Sequence, residues 1–175
     1  MKELARPSMA LQEAFIKMAH DYREHGEQRY YCDLVKDGFD FMEYVTSLTR
    51  KSQNMGNYLE EGLVPFTTYW FIDEKRDTIF GVSRLRHCLN SVSIKEGGHI
   101  GYDVPPSHRG AGIATELLRQ TIIKAKAYKL PRLLLTCDVD NFASIRVIEK
   151  NGGVLEDTIT SDYTRKLVNR YWIEC

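Results

Sequence analysis

A mixed α/β domain, with helices covering both faces of a sheet, is the architecture this sequence predicts. Three textures predict it. Apolar residues recur at helical spacing near the start, aromatic and β-branched runs fill the middle, and strand-like and helix-like segments alternate thereafter. At 175 residues the chain fits one compact domain, 1–175, built on one core.

Leu11, Phe15, Met18 and Tyr22 lie at helical intervals, so a first helix is expected over about Ala10–His25, with Ser8 as its cap. Phe41, Tyr44, Val45 and Leu48 mark a second, over Phe39–Lys51. The stretch "NMGNYLEEGLVPFTT" mixes Gly, Pro and Asn with aromatics and reads as a loop, functional or connective. From Thr67, "TTYWFID" and "TIFGVSRLRH" flank the charged turn "EKRD", which signals a hairpin. "GGHIGYDV" sets His99, Gly101 and Asp103 against Ile100, Tyr102 and Val104, as in a strand with unlike faces. Ile113, Leu117, Leu118, Ile122 and Ala125 form the stripe of a long helix with lysines toward its end. "PRLLLTCDVD" reads as a buried strand, and "NFASIRVIEKNGG" as a short helix between Asn141 and a glycine stop. The remainder makes two last strands around a turn near Thr164–Lys166.

Basic and acidic residues balance at 24 each, and no basic stripe is interleaved with aromatics, so nucleic acid is not an expected partner. No apolar run approaches the roughly 20 residues of a membrane helix and the N-terminus lacks a signal-like core, so no membrane partner is expected and the cytoplasm is the expected location. Cys32, Cys88, Cys137 and Cys175 are scattered, and His20, His25, His87 and His108 show no ligand spacing. Reduced thiols and no metal are therefore expected. The clusters at Tyr30–Tyr31, Tyr69–Phe71 and Tyr171–Trp172 read as packing rather than an aromatic cage. The apolar final strands are compatible with a homodimer.

The turn "RGAG", residues 109–112, opens directly onto a helix. A helix N-terminus presents unpaired N–H groups and partial positive charge, and glycines allow close approach, so an anion is the natural ligand. Arg109 would add a charge-assisted contact. A tight strand-to-helix turn is the plain alternative. The spacing is not a Walker loop, and the dinucleotide pattern fails at Thr115.

"RGAGIA", following "DVPPSH" and opening an amphipathic helix, resembles the pyrophosphate loop of the GNAT superfamily of acyl-CoA N-acyltransferases, whose signature is [QR]-x-x-G-x-[GA]. "DNFASIRVIEKNGG" resembles that superfamily's second signature, in the expected order. The phrase from Gly97 to Gly153 is most similar to a branch of bacterial predicted acetyltransferases, distantly related to ribosomal-protein N-terminal acetyltransferases. The resemblance implies a mixed, mostly antiparallel sheet with a central pair of splayed parallel strands. Residues 97–153 would then form the acetyl-CoA side and 1–95 mainly the acceptor side.

On this resemblance the amides of Arg109, Gly110, Ala111, Gly112, Ile113, Ala114 and Thr115 hold the pyrophosphate of acetyl-CoA, the co-substrate. Tyr102, Asp103 and Val104 pair with the pantetheine arm like an added strand, and Asn141 and Ser144 reach the same arm. A free backbone N–H at the strand opening polarises the thioester carbonyl. The acceptor is an amine on a small molecule or peptide. Alkyl amines are mostly protonated at neutral pH, with a pKa of about 10.4, so a base is useful. His99, on the strand where many members keep a glutamate, is the first candidate, and Glu96 is the second. Both have a plain alternative, a sheet hydrogen bond for His99 and a solvated loop for Glu96. Many members carry a tyrosine seven residues after the Asn, but Ile148 stands there. Tyr102, Tyr163 or Ser144 would replace it, or the thiolate leaves unaided. The missing tyrosine also keeps open a non-catalytic acyl-CoA-binding module.

Overall fold

The computed structural model describes residues 2–36, 38–53 and 63–175. The loop expected from Asn54 therefore lies mostly outside the described residues. The chain runs β1 (Lys2–Ala5), α1 (Gln12–Glu24), α2 (Tyr30–Leu34), α3 (Phe41–Ser52), β2 (Phe66–Asp73), β3 (Ile79–Arg86), β4 (Ile100–Asp103), α4 (Ile113–Ala125), β5 (Arg132–Asp138), α5 (Phe142–Lys150), β6 (Val154–Thr160) and β7 (Leu167–Glu174).

The strands form two antiparallel ladders, β1-β2-β3-β4 and β5-β7-β6, rather than one continuous sheet. They meet where β4 and β5 would pair. There the link is local: the His99 N–H donates to the Leu134 carbonyl at 2.6 Å, and the Leu134 N–H donates back to the His99 ring at Nδ1, 2.9 Å away. The splayed central pair takes the form of this break between ladders. Gly98 makes the close approach feasible, because its φ is +55° and a Cβ there would fall on the Leu134 carbonyl.

Helices on both faces explain the unbroken burial of β2. Tyr69 and Phe71 join a core with Leu117, Leu118, Leu133 and Tyr171, beneath α4 and α5. Trp70 and Ile72 point the other way, into a second core with Phe15, Tyr22, Tyr31 and Phe41, beneath α1 to α3. Burying each of these large side chains contributes roughly 1.5–3 kcal/mol.

Local details depart from the expected pattern. Ser8 makes no capping bond, and its buried hydroxyl has no partner among the described residues, because a short 3-10 turn at Met9–Leu11 precedes α1. α3 begins after Asp40, whose carboxylate accepts from the Glu43 N–H. β1 and α2 were not anticipated. Among the described residues, no helix is long and apolar enough to cross a membrane.

Candidate active site

β4 is hydrogen-bonded on one side only. In its ladder with β3, Gly101 is paired with Arg84, Tyr102 with Ser83 and Asp103 with Val82. The Arg86 N–H donates to the His99 carbonyl. Antiparallel alternation therefore turns the backbone of Gly101 and Asp103 toward β3, and that of Tyr102 toward the gap beside β5. Tyr102 also crosses the gap with its ring. Its hydroxyl lies 3.5 Å from the Ser144 carbonyl of α5, and burial pushes its pKa up to about 12.

After β4 the chain turns through Pro105 and Pro106 into Gly110 (φ +78°) and Gly112 (φ +75°), the latter being the N-cap of α4. Nothing lies within 4 Å of a Cβ built at either glycine, so it is their left-handed backbone, not crowding, that requires them. Among the described residues, no protein group accepts a hydrogen bond from the amides of Gly110 to Thr115. Consecutive unpaired donors at a helix N-terminus suit a multiply charged anion.

The Arg109 side chain does not join them. It donates two hydrogen bonds to Glu27, at 2.5 and 3.0 Å, and one to the Val104 carbonyl at 2.9 Å, while its own amide bonds Pro106. Its charge braces the turn against the α1–α2 connection. On the far side of the gap, the Asn141 side-chain oxygen caps α5 by accepting from the Ser144 N–H at 3.0 Å, which leaves its amide nitrogen without a partner among the described residues.

A model of the acetyltransferase (GNAT) domain matches residues 14–154. The chain belongs to the GNAT acetyltransferase family. GNAT enzymes use acetyl-CoA as co-substrate. No curated protein sequence matches the chain. Solved GNAT structures share the fold at low identity. RimJ of Mycobacterium smegmatis, in complex with CoA-disulfide, aligns at 16% identity and TM-score 0.70, over 99% of this chain and 82% of its own. Ribosomal-protein-S5-alanine acetyltransferase of Vibrio fischeri aligns at 17% and 0.66, over 99% and 91%. The microcin C7 self-immunity acetyltransferase MccE, in complex with acetyl-CoA and AMP, aligns at 16% and 0.66, over 99% and 92%.

Within this GNAT frame, both side chains expected as bases are already engaged. His99 is 6% exposed. Its Nδ1 lone pair receives the Leu134 N–H, so the neutral ring carries its proton on Nε2 and has no lone pair left for an amine proton. Burial and the Arg86 charge lower its pKa to about 4. Glu96 accepts from the Ser161 hydroxyl at 2.6 Å and the Asp162 N–H at 2.7 Å, fastening the β6–β7 turn. Tyr163 is 71% exposed on that same turn. Ile148 is buried in the core, and Gly153 packs directly on it, so no tyrosine fits there. Cys137 is half-buried beside the gap, and burial pushes its thiol up to about 11.

Asp103 turns its backbone toward β3, unlike Tyr102, and its side chain joins a polar cluster. Its carboxylate lies 3.6 Å from both Arg84 and Arg29, and the Tyr31 hydroxyl donates to it at 3.5 Å. Tyr30 and Tyr44 close the same polar patch through their hydroxyls, 3.0 Å apart. Sequence reasoning missed this cluster, because its members come from α2, α3, β3 and β4 and share no spacing.

Proposed function

We propose that this chain transfers the acetyl group of acetyl-CoA to an amine of a small molecule or peptide by direct attack. The unpaired amides from Gly110 to Thr115, set beside a one-sided β4, carry this reading. Those amides hold the pyrophosphate, the outward backbone of Tyr102 and Val104 pairs with the pantetheine arm, and the Asn141 amide nitrogen and Ser144 hydroxyl steady it. Acetyl-CoA supplies an activated thioester; the residues supply position and hydrogen bonds.

Direct attack is favoured over a covalent enzyme intermediate because the Cys137 thiol, pushed up by burial, is scarcely ionised at neutral pH. With the His99 lone pair engaged and the Glu96 carboxylate fastened to the β6–β7 turn, the amine proton leaves to water. The Tyr102 hydroxyl stays protonated and donates to the departing thiolate.

Acetyl-CoA at about 100 times its Kd should stabilise the fold by roughly 2.7 kcal/mol, with ATP and NAD giving none. Stabilisation by ATP or NAD but not acetyl-CoA sinks the reading, and binding without thiol release across amines and peptides assigns a non-catalytic acyl-CoA-binding module. Tyr102→Phe should lower kcat about 10–100-fold with little change in the KM for acetyl-CoA; an unchanged kcat removes the tyrosine. kcat/KM should climb with pH as the amine deprotonates, without an inflection between about pH 4 and 6.5.

A further inference from the structure

We propose that the acceptor carries an anionic group, a carboxylate or a phosphate, close to its reacting amine, and that Arg84 and Arg86 receive it. This inference rests on the acetyl-transfer reading, which puts the acceptor on the α1–α3 face of β4.

β3 directs Arg84 and Arg86, two residues apart, to the same face of the sheet. Across the ladder, Arg84 faces Gly101, and no described residue lies within 4 Å of a Cβ built there, so among the described residues the glycine leaves open space beside the guanidinium. Arg84 is 30% exposed along its side chain and already oriented. It donates to the Tyr31 hydroxyl at 2.5 Å and lies 5.2 Å from the centre of the Tyr30 ring. Arg86 donates to the carbonyls of Gly97 and Gly98, at 3.1 and 2.9 Å. No ion pair joins Arg86 to a carboxylate among the described residues, and burial and the neighbouring Arg84 charge both lower its pKa.

The nearby acidic groups do not balance this pair. Asp103 is shared between Arg84 and Arg29. Glu27 is bound by Arg109 and Arg29, Glu96 is held by Ser161 and Asp162, and His99 is neutral. The face beside Gly101 therefore keeps a positive surplus in a half-buried setting, where an unpaired charge is costly and a bound anion is correspondingly rewarded. Guanidinium groups match the planar oxygens of carboxylates and phosphates, and the same field repels polycationic amines.

The test compares thiol release from acetyl-CoA with aspartate, asparagine and asparaginamide, acceptors of nearly one shape that carry two, one and no carboxylates. O-phosphoethanolamine and ethanolamine form a second pair that distinguishes phosphate from carboxylate, and spermidine is the cationic control. The expected result is a kcat/KM at least about tenfold higher for the best anionic acceptor than for its neutral counterpart. In Arg84→Gln and Arg86→Gln that ratio should fall about tenfold. Comparing the ratio between wild type and variant cancels differences in amine basicity. Arg86→Lys, which keeps the charge, should retain most of the preference and serves as the readout where a glutamine variant does not fold. Faster turnover of asparaginamide, ethanolamine or spermidine overturns the proposal. So does failure to turn over any anionic acceptor while acetyl-CoA still stabilises the protein. Loss of that stabilisation by acetyl-CoA in the wild type strikes the transfer reading itself.

Discussion

The two ends of β4 make opposite use of their polar groups. At the start, the backbone and Nδ1 of His99, the Gly98 carbonyl and both carboxylate oxygens of nearby Glu96 are hydrogen-bonded to other parts of the protein: Leu134, Arg86, Ser161 and Asp162. Beyond the strand's end, the amides from Gly110 to Thr115 make no such bond among the described residues. A residue type suited to catalysis is thus consumed by architecture, while backbone with no reactive side chain is left available. Availability, not residue identity, separates the two ends.

The sharpest way to break this comparison is Gly98→Ala. A methyl there meets the Leu134 carbonyl at a left-handed φ, so a loss of more than about 3 kcal/mol is expected. Thermal unfolding of a 175-residue chain should then shift down by about 10 °C. A wild-type Tm would mean that the close approach of Gly98 to Leu134 is not what holds the ladders together.

His99 supplies the next largest effect. Its pKa in the folded protein, about 4, lies below the ordinary value of 6.5, so the unfolded chain binds the extra proton between these limits. The stability due to the neutral ring is complete above pH 6.5 and is lost as pH falls toward 4, about 3 kcal/mol in all. Denaturant titrations across that window should show the loss in the wild type and not in His99→Gln; equal pH dependence in both would return His99 to the list of accessible bases.

Ile148→Tyr places a hydroxyl where many GNAT enzymes have one. Because Ile148 is fully buried against Gly153, the variant should lose about 1–3 kcal/mol through overpacking and gain no kcat. A rise in kcat would show that the α5 position reaches the gap after all. The smallest effect is expected from Arg109→Met. Its bonds to Glu27 are largely exposed, so the cost is below about 1 kcal/mol and acetyl-CoA affinity stays nearly constant; a large affinity loss would restore its guanidinium to the anion.

Much of the stretch from Gly97 to Gly153 was legible because its signals are local. The stripe Ile113, Leu117, Leu118 and Ala125 is buried as periodicity requires, and Asn141 caps α5 within one turn. Gly110 and Gly112 adopt the backbone that their position before a helix implies. What stayed hidden depends on distant partners. Whether His99 is a base or a brace is decided by Leu134, and the place of Asp103 by Tyr31, 72 positions away. β1 is four residues long with only Leu4 buried, and α2 is five residues long, so neither fills a periodic window.

The break between the ladders has a mechanical consequence. A continuous sheet carries load between neighbouring strands at every rung, whereas here it passes through His99 and Leu134, the Gly97 N–H on the Thr136 hydroxyl and the core that both ladders share. Since the joint contains an imidazole where a rung would have a carbonyl, a proton on that ring would remove the acceptor of the Leu134 N–H and leave the strand-to-strand bond at His99 N–H alone.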